Sequence, residues 1–291
     1  MSIPLNWECY LCHLRRNSAT ARELGTDEQV TAFSKDLLKL YLSAPEGVSS
    51  PWLGPATTDL FQKHYGLPED RFREEKEESN RFVLARLPQI RQRVEAAEDP
   101  LFAALQFAIL GNYIDFSALQ GEVSFEKLDK LLDEAADMAL DETVYDALRS
   151  DLARGKKLLY LTDNAGEIGF DRIFAEEIHK EYPRLEITFC VRGAPAMNDA
   201  TAEDAALVGI PFPVISNGNR IAGTQIDQLG EEAKAALETA DVILAKGQGN
   251  TETMYGCGYN VYYAFLIKCP RFEQVFSKPK FSPMLVRDPK K

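Results

Sequence analysis

The sequence predicts an α/β protein in which a helical first half precedes a mostly parallel β-sheet. From Cys9 to about Ala153, apolar residues recur at helical spacing and strand-like runs are almost absent. After Gly155, short β-prone runs alternate with helical patterns, which is typical of a parallel sheet covered by helices on both faces. We therefore predict a helical subdomain at residues 1–154 and a sheet domain at residues 155–291, packed as one globular unit.

Apolar periodicity in the first half predicts seven helical segments. Leu128, Leu131 and Leu132, for example, fall on one face of a helix. Asp99 followed by Pro100 matches a helix N-cap with proline in the first turn, and glycine and proline cluster between the segments. The predicted helices cover residues 10–24, 28–43, 56–65, 71–96, 100–114, 125–139 and 142–153.

Strand-like runs in the second half predict the sheet. The apolar run that begins at Leu158 is continuous, as in strands that are buried on both faces, and a helical pattern follows it. The predicted strands cover residues 156–162, 185–191, 211–216, 241–246 and 260–268, with a last strand near 283–287. The predicted helices between them cover residues 165–182, 199–208 and 224–240.

The composition restricts the classes of function. The 291 residues carry a formal net charge of -12, with a pI of about 4.9. Because an acidic chain gains nothing from a phosphate backbone, we expect no nucleic-acid partner. No apolar run is long enough to cross a membrane, the N-terminus lacks a signal-peptide pattern, and five cysteines are too few for a disulfide framework. We expect a cytoplasmic protein without a membrane partner, and the sequence carries no signal for an oligomeric state.

Polar residues follow the first two predicted strands. Asp163 and Asn164 come after the first strand, and Asp199 comes shortly after the second. Right-handed crossovers bring the carboxyl ends of parallel strands to one edge of a sheet, which is where open α/β folds bind ligands. A helix cap explains Asp163 or Asn164 alone, but not the four polar residues Asp163, Asn164, Glu167 and Asp171 within nine positions. Carboxylate and amide oxygens suit hard divalent cations, so we predict a Mg²⁺ or Mn²⁺ site, or a site for another transition metal.

Two cationic residues are predicted at the same edge. Lys246 leaves the fourth strand and is followed by Gly247 and Gly249, so backbone N–H groups can approach an anion while the ammonium group neutralises it. Neither a Walker A motif nor a complete Gly-x-Gly-x-x-Gly motif is present. We favour a phosphate ligand for Lys246 over a solvated loop lysine. Arg192, after the second strand, is either a phosphate ligand or one member of a structural ion pair.

Two residue pairs in the helical half have more than one interpretation. Cys9 and Cys12 have the spacing of a metal clip or a redox pair, but no second cysteine pair follows, and two buried thiols on one helix face look the same. Asn112 and Asp115 follow a very apolar segment, where polar residues either form a site or only end the helix.

Taken together, these motifs resemble the damage-control phosphatase family. This family is also called acidic-residue methyltransferase-like and was long catalogued as a domain of unknown function. The resemblance spans nearly the whole chain, with the motifs in the same order, and the early Cys-x-x-Cys is similar to the prokaryotic-type subgroup. The motifs are Gly111-Asn112-Tyr-Ile-Asp115, Asp163-Asn-Ala-Gly-Glu-Ile-Gly-Phe-Asp171, Asn198-Asp-Ala-Thr201 and Lys246-Gly-Gln-Gly-Asn250.

The resemblance implies a Rossmann-like α/β/α sandwich with an N-terminal all-helical subdomain. It also implies a divalent-metal-dependent phosphatase that hydrolyses phosphomonoesters of small metabolites, such as sugar phosphates or related damaged phosphometabolites. By motif match, Asp163, Asn164 and Asp199 are the metal ligands and Lys246 contacts the phosphate. The further residues expected to line the pocket are Asn112, Asp115, Glu167 and Asn198.

We expect the phosphate oxygens to be neutralised by Lys246, with Arg192 and the backbone of Gly247 beside it. Glu167 or Asp115 accepts the proton of an in-line water; in a second route, Asp163 attacks directly as a carboxylate nucleophile. Two rival functions remain at this point. One is an S-adenosylmethionine-dependent carboxyl methyltransferase, and the other is a non-catalytic metal- or metabolite-binding protein.

Overall fold

A computed structural model describes residues 2–115 and 124–288 of the chain. Its centre is a six-stranded sheet in the order β3-β2-β1-β4-β5-β6, in which the first five strands are parallel and β6 is antiparallel to β5. The predicted α/β class is confirmed. The strands are β1 (Lys157–Leu161), β2 (Glu186–Val191), β3 (Val214–Ser216), β4 (Val242–Lys246), β5 (Val261–Leu266) and β6 (Pro283–Arg287).

Thirteen α-helices occur in the described residues. The segment predicted at 71–96 forms two helices, and the second has Pro88 in its first turn. Proline is tolerated there because the N–H group that it lacks would have no partner within the helix. The helices are α1 (Trp7–Leu24), α2 (Asp27–Ser43), α3 (Gly54–Tyr65), α4 (Arg73–Leu84), α5 (Leu87–Glu95), α6 (Pro100–Gly111), α7 (Phe125–Asp133), α8 (Glu142–Arg154), α9 (Glu167–Glu181), α10 (Ala202–Leu207), α11 (Glu231–Thr239), α12 (Gly247–Met254) and α13 (Pro270–Phe276).

The described residues also contain three short 3₁₀ helices, and two of the α-helices were not predicted. The 3₁₀ helices are Ser50–Leu53, Ala135–Asp137 and Ile226–Gln228. The sequence did not predict α12, because its glycine-rich start is typical of a turn, and it did not predict α13, which is only seven residues long. None of the helices in residues 2–115 and 124–288 has the length and apolar character that a membrane span needs.

Helices cover both faces of the sheet. On one face, Tyr160, Phe189 and Leu244 pack in a single apolar core with helices of both halves of the chain, including α6 and α9. On the other face, Tyr263 and Phe265 pack against α11, α12 and α13. Helices α1–α3 have a separate small core. The first half of the chain therefore supplies one of the layers that bury the sheet.

The loops at the carboxyl end of the sheet are fastened to one another. The strand order reverses between β1 and β4, which creates the crevice where open α/β sheets bind ligands. The loops after β1 and β2 pair at Asn164 and Asp199, and the Ala200 N–H donates to the Asp163 carbonyl at 2.7 Å. This pairing holds the polar residues of two strand ends against the crevice.

Candidate active site

A cavity of about 250 Å³ lies at the carboxyl end of the sheet. Asp163, Asn164 and Asp199, the three predicted metal ligands, line it together with Asp115 and Lys268. Further lining residues come from α1, from the segment before α4, and from α12 and α13. Residues distant in sequence, from both halves of the chain, thus surround the ends of β1, β2 and β5.

The Asp163 carboxylate is held by two amides. Its Oδ2 accepts hydrogen bonds from Nδ2 of Asn112 and from Nδ2 of Asn164, both at 2.8 Å. Gly247 lies against the same carboxylate with φ at +78°, and a Cβ there would come within 2.8 Å of Asp163 Oδ1 and closer still to Oδ2. Only glycine combines this backbone conformation with this close approach. Gly247 therefore makes room for Asp163 and is not among the residues that line the cavity.

Glu167 lies beneath the cavity floor and is completely buried. Its carboxylate accepts hydrogen bonds from Asn112 and from the side chain of Asn164, the latter at 2.8 Å, and from Nζ of Lys246 at 2.7 Å. It does not line the cavity. The predicted role of Glu167 as a proton acceptor for water is not available in this geometry, because its oxygens face the three groups that it positions.

Lys246 is also completely buried, and the structure corrects its predicted phosphate contact. Its ammonium group donates to the carbonyl of Ala108 at 2.8 Å, to Glu167, and to Asp171 at 2.5 Å. An ammonium group has three N–H donors, so none remains for a phosphate. Burial alone disfavours the charge, but the two carboxylates outweigh it and raise the pKa of Lys246. Lys246 is therefore the cation that neutralises Glu167 and Asp171 beneath the cavity.

Arg192 forms the ion pair that was one of its two interpretations. Its Nε donates to Asp199 Oδ2 at 2.6 Å, Nη1 donates to the Gly223 carbonyl at 3.0 Å, and Nη2 donates to Asn250 Oδ1 at 3.3 Å. Only 2% of the residue is exposed and it does not line the cavity, so a direct phosphate contact is not available. Its function in this geometry is to orient Asp199.

Asn112 and Asn198 support the floor from behind and do not line the cavity. Asn112 connects the two halves of the chain, because its Oδ1 accepts from the Leu266 N–H at 3.0 Å while its Nδ2 holds Asp163. Asn198 donates to Asn164 Oδ1 at 2.9 Å. Since a carbonyl oxygen has two lone pairs, one lone pair of Asn164 Oδ1 is left for another ligand. The predicted substrate contacts of these two asparagines are thus replaced by contacts within the protein.

Five carboxyl groups at and below the cavity floor share three cations; the carboxyl groups are those of Asp115, Asp163, Glu167, Asp171 and Asp199, and the cations are Arg192, Lys246 and Lys268. Burial, together with the charges of Glu167 and Asp199, raises the pKa of Asp163 well above its usual value. Burial also raises the pKa of Asp199, against the opposing charge of Arg192. Asp115 pairs with Lys268 at 2.7 Å. The charge of Lys268 also acts to lower the pKa of Asp163, and Nη2 of Arg192 lies 3.9 Å from Asp163 Oδ1. The floor would therefore gain stability from an added cation.

Comparison with known proteins identifies the chain's relatives. The model of the damage-control phosphatase ARMT1-like domain matches residues 6–281. The chain belongs to this family. It is 32% identical over 251 residues to a damage-control phosphatase of Archaeoglobus fulgidus, and the aligned region covers 84% of this chain and 85% of the relative. It is 30% identical over 288 residues to an uncharacterized protein of Methanocaldococcus jannaschii, which covers 92% of this chain and 90% of the relative.

A solved structure supports the same assignment. The crystal structure of a DUF89 family protein from Pyrococcus horikoshii matches with a TM-score of 0.84 and 28% identity, and it covers 98% of this chain and 99% of that chain. A damage-control phosphatase of the same organism is 35% identical over 192 residues, or 64% of each chain. Family membership supports phosphatase activity, and the assignment to the prokaryotic-type subgroup stays a prediction.

The residues of this damage-control phosphatase family member that remain on the cavity can hold a cation. Within the described residues, Oδ2 of Asp163 and Oδ2 of Asp199 accept hydrogen bonds, while no hydrogen bond reaches Oδ1 of either carboxylate. With the second lone pair of Asn164, they give three oxygen ligands of the kind that Mg²⁺ and Mn²⁺ use with waters and substrate oxygens. Across residues 2–115 and 124–288, no group of three His, Cys, Asp or Glu residues is arranged to hold a metal ion.

Several cavity residues were not predicted. Lys268 follows β5, so strand-end reasoning applied to a fifth strand finds it. Arg16, Arg71 and Arg271 also line the cavity, but no motif or periodicity in the sequence distinguishes them from surface arginines. Cys9 and Cys12 lie on the same wall, and within the described residues they are free thiols.

Proposed function

We propose that this protein is a divalent-metal-dependent phosphatase that hydrolyses phosphomonoesters of small metabolites in the cavity above Asp163. Membership of the damage-control phosphatase family supports the reaction type. The metal, its ligands and the substrate class are our extension. The proposed ligands are Asp163, Asn164 and Asp199, and the proposed cation is Mg²⁺ or Mn²⁺.

One observation carries the proposal: the charge of the connected cluster at and below the cavity floor. When all are ionised, its five carboxylates exceed its three cations by two charges. A divalent cation on the cavity side balances this excess and also provides a positive site for a phosphate in an acidic protein. The cluster consists of Asp115, Asp163, Glu167, Asp171 and Asp199 with Arg192, Lys246 and Lys268.

The chain's own residues have separable tasks in this proposal. When bound, the cation stabilises negative charge that develops on the phosphoryl group. Asp115 lies on the cavity wall with only 9% of its surface exposed, and Lys268 holds its Oδ2 at 2.7 Å. In this proposal, Asp115 accepts a proton from the attacking water. The two amides that hold Asp163 keep its Oδ1 turned away from them.

The test is phosphate release from a panel of phosphorylated metabolites, with Mg²⁺ or Mn²⁺ and with a chelator. We expect activity that the chelator abolishes and that Asp163→Asn and Asp199→Asn reduce at least about 100-fold, as expected for loss of a charged group from the reacting centre. Lys157→Met, at an exposed position, is the control. Equal activity of Asp163→Asn and wild type overturns the ligand assignment.

Two further measurements distinguish the alternatives. A phosphoenzyme trapped by acid quench would show that Asp163 attacks the phosphorus directly and that the first step is not attack by water. Metal binding without phosphate release from any member of the panel would favour the non-catalytic binding protein, and methyl transfer from S-adenosylmethionine to carboxylates would favour the methyltransferase.

A further inference from the structure

Three arginines line one part of the cavity wall, outside the acidic cluster of the floor. They are Arg16 on α1, Arg71 just before α4 and Arg271 at the start of α13. Within the described residues, no carboxylate lies within 4.0 Å of the half-buried Arg71 or Arg271, whereas the buried cations of the acidic cluster are paired. A guanidinium group that is withdrawn from water without a carboxylate partner is costly to the fold.

Arg71 is held in place by aromatic rings instead of by acids. Its guanidinium carbon lies 4.4 Å from the ring centre of Phe61 and 4.9 Å from that of Phe72. Burial and the neighbouring charge of Arg16 lower the pKa of Arg71 to about 10, so it is still cationic at neutral pH. Rings fix the plane of a guanidinium but leave its N–H donors unused, which suits a ligand-binding group.

Arg271 adds an unused donor to the same wall. Its Nε is buried and has no hydrogen-bond partner within the described residues. Glu252 also lines the cavity, and its carboxyl group interacts with the charges of Arg16, Arg271 and Asp115. Burial raises the pKa of Glu252 to about 8, so its carboxyl group does not neutralise the arginines at pH 7. Even with Glu8 on α1 counted, the three arginines outnumber the acids of this part of the cavity.

We propose that Arg71, Arg16 and Arg271 bind a second acidic group of the substrate, so that the enzyme selects small phosphometabolites carrying a carboxylate or a second phosphate away from the scissile phosphate. Arginine binds both kinds of group through paired N–H donors. A second acidic group of the substrate would balance the positive charge of the three arginines. The inference rests on the proposed function, because it assumes that the scissile phosphate lies at the acidic floor.

The experiment uses three substrates with one hexose skeleton: glucose 6-phosphate, 6-phosphogluconate and glucose 1,6-bisphosphate. We expect the wild-type enzyme to have a kcat/KM at least about tenfold higher for one or both of the compounds with a second acidic group, in keeping with a charged hydrogen bond. Arg71→Gln should raise the KM for those compounds by about 10- to 100-fold, with kcat nearly unchanged, and should leave the kinetics of glucose 6-phosphate unchanged. The exposed Arg184→Gln is the matched control.

Calorimetric titration with the same compounds separates this inference from the proposed function. If binding shows the arginine-dependent preference but no compound is hydrolysed, the preference stands and the phosphatase proposal fails for these compounds. If glucose 6-phosphate binds and reacts as well as the others, or if Arg71→Gln weakens all three equally, the second-acid inference is overturned. Arg271→Gln provides a second test should Arg71→Gln fold poorly, since it leaves the Phe61 and Phe72 contacts intact.

Discussion

Substitution of Gly247 by alanine tests whether the position of Asp163 controls activity. Gly247 has φ at +78°, a region that costs about 1–2 kcal/mol for residues with a Cβ. The added methyl group would also come within 2.8 Å of Asp163 Oδ1 and nearer to Oδ2, whereas carbon and oxygen pack at roughly 3.5 Å. Because the interfering group is a backbone-anchored Cβ, the carboxylate must move by about 1 Å or more, away from its two amide donors.

The expected effects have different sizes for stability and for activity. Backbone strain and loss of one hydrogen bond to the charged carboxylate together cost about 3–5 kcal/mol of the free energy of unfolding. A displacement of 1 Å at a reacting group lowers the turnover number by about 100-fold. Gly47→Ala is the matched control, because Gly47 has φ at +82° and a Cβ there meets nothing within 4 Å. It should cost about 1–2 kcal/mol and leave activity within about twofold.

The assay is metal-dependent phosphate release at saturating substrate, with urea unfolding of each variant to measure stability. Both variants must be assayed well below their unfolding midpoints, so that loss of activity is not loss of fold. If Gly247→Ala is folded and its turnover number stays within threefold of that of Gly47→Ala, then Asp163 does not need the position that the glycine permits, and our assignment of the floor is wrong.

Two further predictions concern buried charges. Lys246→Met leaves Glu167 and Asp171 without their cation, and we expect it to lower the free energy of unfolding, measured in urea, by about 3–5 kcal/mol. The control Lys157→Met, at an exposed position, should change it by less than about 0.5 kcal/mol. An effect of Lys246→Met equal to that of the control would contradict the buried ion-pair role. The pKa of Glu252 is raised from 4.5 to about 8, so the folded state binds its proton more tightly than the unfolded state does. Glu252 therefore lowers the free energy of unfolding by an amount that grows as pH rises from 4.5 to 8. Glu252→Gln should therefore stabilise the protein by up to about 3 kcal/mol at pH 7 and by almost nothing at pH 4.5, and a gain that is the same at both pH values would refute the shift.

The fold was predictable because strands of a parallel sheet are buried on both faces. Four of the five parallel strands are largely buried and therefore appear as apolar runs, whereas β3 is a short, mostly exposed edge strand. All observed strands lie within the predicted ranges. Asp163, Asn164 and Asp199 were predicted to come together for a topological reason, namely that parallel strands end at one edge. Helix α12 was not predicted, because glycine at its first and third positions is locally unfavourable and only the packing around β4 and β5 overrides that preference.

The role of Lys246 could not be predicted in the same way. A lysine at a strand end has the same local sequence whether it points to a ligand or into the protein. Its direction depends on α9, which places Glu167 and Asp171 one turn apart on the face toward the sheet, and on the carbonyl of Ala108 at the end of α6. Pairing between segments more than 70 residues apart is a property of the tertiary structure, and Arg71 was missed for the same reason.

The two layers of the floor give a physical reason for the mixture of amides and acids in the family motifs. If Asn112 were a lysine, Asp163 would have its own cation and would hold a metal weakly; if it were an aspartate, a further negative charge would be added beside Glu167. A neutral amide avoids both outcomes, because it donates to Asp163 and Glu167 at 2.8–3.2 Å without changing the net charge. Lys246 pairs with Glu167 and Asp171 below the cavity and Arg192 pairs with Asp199, whereas the Asp163 carboxylate lies 3.9 Å from Arg192 and is held mainly by neutral amides. Under the proposed function, the asparagines keep the carboxylates ordered while leaving their charge for the proposed metal ion.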